Sequence, residues 1–191
     1  MTCGYISRRH EKLKQKLMAS FSAQIPEHQK IWLAVRTKFR SEKYVVRQLE
    51  EKGILAFVPL QESIRKYGSR IRKSQVPLIN TYIFVHIDRS AYVPVLETPY
   101  ALYFISVGDQ LVEVTEEEIN LLKRLTGEKV EAFENLPQDL DIGDTVKIIS
   151  GHLTGMNGRL VDFKNKKKLL VQLDSIGYQM LVEIPVESVY R

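Results

Sequence analysis

The C-terminal part of the chain combines a glycine-rich segment with a series of strand-like segments. Val146 and Ile148 alternate with polar residues, which is typical of a short strand. Three glycines follow at spacings of four and three, namely Gly151, Gly155 and Gly158. Because glycine tolerates positive φ angles and close backbone approach, this run predicts a tight loop between two strands. Further strand candidates are residues 159–163, 169–173, 178–184 and 186–190. Short strands separated by turns in this way predict a small, strongly bent barrel.

A phosphate-binding enzyme loop is the alternative explanation of these glycines. Such a loop requires Lys-Ser or Lys-Thr after its last glycine, and a helix that opens there. Gly158 is instead followed by Arg159-Leu-Val-Asp-Phe, which is typical of a strand. The histidines are scattered without metal-ligand spacing, and no nucleophile, base and orienting residue occur in a recognisable order. The sequence therefore predicts no enzyme activity, no metal site and no cofactor.

Charge is distributed unevenly along the chain, whose formal net charge is +5. From Lys30 to Lys73 there are 12 Lys and Arg against 4 Asp and Glu, a net +8. From Glu97 to Asp144 there are 3 against 12, a net −9. A basic region attracts phosphates and an acidic region repels them, so this pattern predicts nucleic-acid contact on one side only. Clustered charges that are merely solvated are the alternative.

Two further features concern the cellular compartment of the protein. No apolar run reaches the ~20 residues that a membrane helix needs, and the N-terminus has no signal-peptide core. The single cysteine, Cys3, cannot form an internal disulfide, which is consistent with a reducing compartment. We expect a cytoplasmic protein with no membrane partner.

The middle of the chain alternates between strand and helix patterns. Ser41 and Thr115 are placed to begin helices, with Glu118 completing a capping box after Thr115 and Gly53 ending the first helix. Strands are predicted at 31–35, 54–60, 78–87 and 101–107, a basic hairpin at 62–76 and a weaker helix at 90–97. This order predicts a ferredoxin-like α+β plait. Residues 128–140, acidic and with a proline, are expected to link it to the barrel.

Four segments carry a family resemblance over residues 31–191. Ile31-Trp-Leu-Ala-Val-Arg-Thr and Leu49-Glu-Glu-Lys-Gly look like the opening of a NusG amino-terminal domain. Val76-Pro-Leu-Ile-Asn-Thr-Tyr-Ile-Phe-Val is similar to that domain's central Pro-Leu-Phe-Pro-Gly-Tyr-Val-Phe-Val strand, and the glycine loop resembles a KOW module. The resemblance implies an α/β plait followed by a small SH3-like β-barrel. The expected bounds are an N-terminal extension at 1–29, the NusG N-terminal domain at 30–128, a linker at 129–138 and the KOW domain at 139–191.

The sequence departs from the common NusG pattern at Ile79-Asn80-Thr81, which replaces Phe-Pro-Gly. This departure, the basic hairpin and the N-terminal extension look more like specialised NusG paralogues. The resemblance therefore implies a transcription antitermination and elongation factor that suppresses pausing or termination at specific operons. The alternatives are a housekeeping NusG that acts with Rho in termination, and an RNA- or ribosome-binding KOW protein.

The resemblance also implies partners and the residues that meet them. The clamp helices of RNA polymerase would contact an apolar patch of Tyr82, Phe84, Phe104, Ile119 and Leu122, although the same residues could simply pack the sheet against its helices. Upstream or non-template DNA would meet Lys38, Arg40, Lys43, Arg47, Arg65, Lys66, Arg70, Arg72 and Lys73. A ribosomal small-subunit protein or Rho would meet the KOW loop residues Leu153, Met156 and Ile176, of which two could fold back onto the barrel rim.

Overall fold

The computed structural model describes residues 18–68, 70–128, 130–135, 141–150, 153–163, 166–184 and 189–190. The fold is mixed, with several β-sheets and few helices, as the sequence predicts at this coarse level. The described residues form two compact units. The first unit runs to Phe57 and adds Ile83–Glu113, and the second comprises Val58–Tyr82 and the described residues from Val114 onward.

The regular elements are numbered here in chain order. The strands are β1 (Ile31–Thr37), β2 (Leu55–Phe57), β3 (Leu60–Tyr67), β4 (Arg70–Pro77), β5 (Tyr82–Ile87), β6 (Ala101–Phe104), β7 (Ser106–Val107), β8 (Gln110–Leu111), β9 (Glu113–Val114), β10 (Val130–Phe133), β11 (Asp141–Ile148), β12 (Asn157–Phe163), β13 (Lys166–Leu173), β14 (Tyr178–Glu183) and β15 (Val189–Tyr190). The helices are α1 (Glu42–Glu51), α2 (Tyr92–Leu96) and α3 (Glu116–Leu125), with a 3-10 turn at Arg89–Ala91.

The main sheet of the first unit has the strand order β2-β5-β1-β6, and β9 also pairs with β1. Its centre is apolar because β1, which has strand neighbours on both sides, buries Trp32 through Val35. Strand β5 is shorter than predicted, since it begins at Tyr82 rather than at Leu78. The alternating side chains of β5 do not form one buried and one exposed face, because every residue except His86 is buried. His86 is half-buried and stacks on Trp32 at 4.8 Å between ring centroids.

Helix α1 ends as its sequence predicts. Gly53 adopts φ +73°, a conformation that glycine takes without a Cβ clash. Its N–H donates to the Glu50 carbonyl at 2.9 Å, and the Ile54 N–H donates to the Leu49 carbonyl at 2.9 Å. These are the two bonds of a Schellman motif, which satisfies carbonyls at the end of a helix. Ser41 precedes the helix but makes no side-chain cap bond, which differs from the prediction.

Part of the predicted N-terminal extension is packed within the first unit. Residues 18–22 are helical, and Ile25 is fully buried. The Arg89 guanidinium holds this segment, since Nε donates to the Ile25 carbonyl and Nη2 donates to the Ala23 carbonyl, both at 3.0 Å. The rest of the predicted extension, residues 1–17, lies outside the described residues.

The second unit contains a six-stranded sheet with the order β10-β14-β13-β12-β11-β15. Strand β10 lies in the segment that the sequence predicts as a linker, and it pairs with β14 from Val130↔Val182 to Phe133↔Gln179. Gly158 on β12 fulfils the expectation of a close backbone approach. A Cβ there would lie 2.7 Å from the Leu170 carbonyl oxygen. The predicted domain bounds stay a prediction.

The run of lysines in Lys164-Asn-Lys-Lys-Lys168 predicts a solvated hairpin turn, and the structure differs from this prediction. Strand β13 begins at Lys166, and Lys168 is only 4% exposed. Its ammonium pairs with the carboxylate of Glu131 on β10. A buried lysine needs such a partner because desolvation penalises an uncompensated charge. Residues 164 and 165 lie outside the described part of the chain.

Candidate nucleic-acid and protein-binding surfaces

The hairpin formed by β3 and β4 is strongly basic. The register runs from Leu60↔Pro77 to Tyr67↔Arg70, so the predicted basic hairpin is confirmed as a hairpin. Five cations are exposed on it against the single Glu62. They are Arg65, Lys66, Arg70, Arg72 and Lys73. Lys73 lies 3.4 Å from Glu62 in an exposed ion pair, a contact that contributes little to stability.

The register divides these cations between the two faces of the hairpin. Directly opposite residues share a face in an antiparallel pair, as do residues two apart on one strand. Arg65 is opposite Arg72, and Arg70 is two residues from Arg72, so the three arginines share one face. The two lysines lie on the other face, where they are opposite Ile64 and Ile71. Like charges directly opposite each other are destabilising, so the arginine face is costly unless it meets an anion.

A second group of predicted nucleic-acid residues surrounds the start of α1 in the first unit. Lys38, Arg40, Lys43 and Arg47 are predicted to meet phosphates, and their segment is residues 38–49. All four cations are exposed. The segment contains one acidic residue, Glu42, which is only 2% exposed. The surface of this segment is therefore cationic.

The polymerase patch predicted from the sequence consists of buried side chains. In the second unit, Tyr82 is 7% exposed, and Ile119 and Leu122 on α3 are fully buried. The Tyr82 ring meets the Tyr178 ring of β14 edge-on, with 5.3 Å between the centroids. These contacts favour the alternative role of the three side chains in packing. Binding a partner through them requires that they become exposed.

The other two residues of that patch lie in the first unit. Phe84 is fully buried, 6.4 Å from Phe57 between ring centroids. Phe104 is 5% exposed and stacks on Tyr92 at 4.7 Å, with 13° between the ring planes. Burial raises the pKa of the Tyr92 hydroxyl. Both phenylalanines are thus part of the core in this structure.

Helix α3 is held at both ends within the second unit. At its N-terminus the Thr115 hydroxyl accepts from the Glu118 N–H at 3.2 Å, and Glu118 accepts from the Thr115 N–H at 3.0 Å. This is the predicted capping box. The Glu118 carboxylate also accepts from the Ser175 N–H at 3.0 Å and from the Ser175 hydroxyl. Near the other end, Arg124 Nη2 donates to the Thr154 carbonyl at 2.6 Å.

These contacts alter the acidity of Glu118. Burial alone would raise the pKa of this carboxyl group, since it penalises the charged form. Hydrogen bonds from Ser175 and Thr115 to the carboxylate outweigh burial, so the pKa lies below its usual value of 4.5. Sequence reasoning missed Ser175 as a partner of α3, because nothing local connects a turn residue with a distant helix.

The predicted partner residues of the C-terminal loops are mostly covered. Leu153 is 5% exposed and Met156 is 7% exposed, which agrees with the alternative that two of the three residues fold back. Ile176 is half-buried in the turn after β13. Met156 and Gly158 line a groove of about 660 Å³ in the second unit, to which Leu121 of α3 also contributes. The role of these residues in binding a partner stays a prediction.

The comparisons with known proteins support the NusG resemblance. A model of the family described as "Transcription termination factor nusG" matches residues 30–123. The chain is also similar to the solved structure described as "Domain interaction in Thermotoga maritima NusG". That match has 28% sequence identity and a TM-score of 0.53, and it covers 84% of this chain and 96% of that chain. The chain is a NusG-like transcription factor.

Two more distant structures also match the chain. They are conformations A and B of an MjSpt4:Spt5 complex, with 19% and 22% identity, TM-scores of 0.30, and coverage of 84% of this chain and 96% and 95% of theirs. The NusG resemblance read from the sequence is confirmed by the family model and by the Thermotoga maritima structure, not by these two matches. Proteins of the NusG family are non-enzymatic transcription factors.

Membrane-spanning helices and metal clusters are both absent from the described residues. No helix among them is long and apolar enough to cross a membrane. No group of three or more His, Cys, Asp or Glu side chains among them could hold a metal ion.

Proposed function

We propose that this NusG-like protein is an antitermination factor that binds RNA polymerase and suppresses pausing or termination at particular operons. The observation that carries the proposal is the arginine face of the β3–β4 hairpin. Holding Arg65 directly opposite Arg72 costs stability in the isolated protein, because like charges repel across a strand pair. An arrangement of this kind is useful where it meets phosphates, which the arginine fork binds in a bidentate manner.

The phosphates belong to the upstream duplex or to the displaced non-template strand of an elongating polymerase. Cations on the hairpin and around α1 would neutralise them and release counterions, so binding would weaken as salt increases. Contacts of this kind fix position without reading sequence. They would hold the factor on the elongation complex while the protein contact provides the rest of the affinity.

The protein contact is assigned to an N-terminal α/β plait that meets the polymerase clamp helices. The family match over residues 30–123 supports this assignment. The factor would bridge the clamp and the opposite side of the DNA channel, and so keep the clamp closed. Because Tyr82 packs against Tyr178, a contact made through Tyr82 would require these two rings to separate.

The six-stranded sheet of the second unit is assigned to a KOW domain with an SH3-like barrel. The glycine loop and the close approach at Gly158 support this assignment. Its partner would be a ribosomal small-subunit protein or Rho, met by Leu153, Met156 and Ile176 once the two buried residues become exposed.

A housekeeping role with Rho is the second candidate function. The description of the matching family, a transcription termination factor, favours it. The two candidates predict opposite effects on transcript length, so a transcription assay separates them.

The proposal is tested by single-round transcription with purified RNA polymerase and no Rho. The template carries pause sites and an intrinsic terminator behind the leader of the operon that encodes this protein, and an unrelated leader serves as the control. We expect the full-length protein to shorten pauses and increase read-through on its own leader only. The proposal fails if the protein binds polymerase yet leaves pausing and read-through unchanged on both templates.

A further inference from the structure

Two exposed tyrosines in the first unit lie side by side among the cations at the start of α1. Tyr44 is 44% exposed and Tyr100 is 49% exposed. Their ring centroids are 5.5 Å apart with 69° between the planes, an edge-to-face arrangement. One ring belongs to α1 and the other to the turn before β6, so the fold rather than the local sequence creates the pair.

Lys38 fastens the turn that carries Tyr100. Its backbone N–H donates to the Tyr100 carbonyl at 3.0 Å. Its ammonium nitrogen lies 5.8 Å from the centroid of the Tyr100 ring, within the range of a cation–π contact. A cation and two aromatic rings are therefore held at one place on the surface.

The backbone at this place is strained. Tyr100 has φ +72° and Arg40 has φ +63°, the left-handed conformation that glycine adopts readily and other residues do not. Strained residues of this kind are concentrated at functional sites. An aromatic ring at position 100 is thus present although glycine would suit the backbone better.

We propose that Tyr44 and Tyr100 form a stacking site for an unpaired base of single-stranded nucleic acid. The inference rests on the proposed function, in which nucleic acid reaches the cations around α1. It adds that the bound strand is unpaired there, because a base inside a duplex cannot present its face to a protein ring. Lys38 and Arg40 hold the adjoining phosphates, as in sites that combine a basic groove with aromatic rings.

The charge of the surface favours nucleic acid over a protein partner. Residues 38–49 contain one acidic side chain, which is buried, and four exposed cations, Lys38, Arg40, Lys43 and Arg47. Half-exposed rings in such surroundings provide stacking for any base, since every base has a π face. The site is therefore expected to bind without strong sequence preference.

The test measures how the full-length protein binds short fluorescent oligonucleotides by anisotropy. A mixed-sequence single strand is compared with an abasic strand of the same length, and a DNA arm and an RNA arm show which sugar the site accepts. We expect the wild type to bind the base-containing strand about tenfold more tightly than the abasic strand in at least one arm. Tyr100→Gly should remove that preference while leaving the salt slope and the melting temperature undiminished, because it relieves the left-handed strain.

Tyr103→Ala is the matched control, since Tyr103 is 55% exposed and is not part of the pair. This variant should keep the preference for the base-containing strand. The stacking site is refuted if the wild type binds both strands equally in both arms, or if Tyr100→Gly keeps the preference. It is also refuted if Tyr103→Ala loses the preference equally, or if Tyr100→Gly loses only polymerase binding. If the wild type suppresses pausing but shows no preference for the base-containing strand, the proposed function stands and only the stacking site is refuted.

Discussion

At the scale of single residues, the effect of the opposed Arg65 and Arg72 can be distinguished from the effect of the total positive charge of the hairpin. Changing Arg65 and Arg72 together to Ala should weaken binding to DNA and reduce the logarithmic salt slope by about 2, one for each phosphate that is no longer neutralised. The same variant should be slightly more stable than the wild type, because two opposed like charges are removed. Titrations at several salt concentrations and a thermal melt measure both effects.

The control for this experiment lies on the other face of the same hairpin. Changing Lys66 and Lys73 together to Ala removes the same formal charge but leaves the arginine face intact. We expect a smaller decrease in affinity and in salt slope. Equal decreases in the two double variants would mean that only the total charge of the hairpin matters.

Glu118 gives a second prediction at this scale, a dependence of stability on pH. The folded-state pKa is lowered, so the carboxylate contributes stability that is fully present above its unfolded pKa. That contribution is lost as the pH falls through the folded pKa, which lies below 4.5. The difference in unfolding free energy between the wild type and Glu118→Gln should therefore be constant near neutral pH and shrink in acid. A difference that grows on acidification would contradict the proposed hydrogen bonds from Ser175 and Thr115.

At the scale of elements, the pairing of β12 with β13 depends on one glycine. A Cβ at position 158 would lie 2.7 Å from a backbone oxygen, and the backbone cannot move aside as a side chain can. Gly158→Ala should therefore destabilise the protein by about 1–3 kcal/mol. Gly155→Ala is the control, because its φ of +84° causes strain but no atom lies within 4 Å of the added Cβ. Denaturant unfolding should show the larger destabilisation for Gly158→Ala, and an equal or smaller one would contradict the close approach.

Elements that depend on neighbours in the sequence could be predicted, whereas those that depend on distant partners could not. The capping box joins Thr115 with a residue three positions later, so the sequence alone identifies the start of α3. Strand β10 exists because it pairs with β14, far along the chain, and an acidic segment without that partner resembles a linker. Lys168 is buried for the same reason, since its partner Glu131 is on β10.

The candidate sites also differ in whether they depend on neighbours in the sequence or on distant residues. The hairpin cations could be predicted because a hairpin is local, and its register then follows from the turn. The pairing of Tyr44 with Tyr100 joins two distant segments, and the only signal in the sequence was an aromatic residue between Lys43 and Arg47. The burial of Tyr82 and Phe84 escaped the sequence pattern because both faces of β5 are covered.

At the scale of the whole molecule, this NusG-like transcription factor carries a basic hairpin and a second cationic surface. Its predicted polymerase-binding side chains are buried by contacts within the protein. The description of the matching family is a transcription termination factor, whereas the proposed function is the suppression of termination. Transcription by purified polymerase in the presence of Rho, with and without the full-length protein, decides between the two. We expect Rho-dependent ends to move downstream and full-length transcript to increase on the protein's own leader. Ends that move upstream and become more intense would contradict antitermination and support the housekeeping role with Rho.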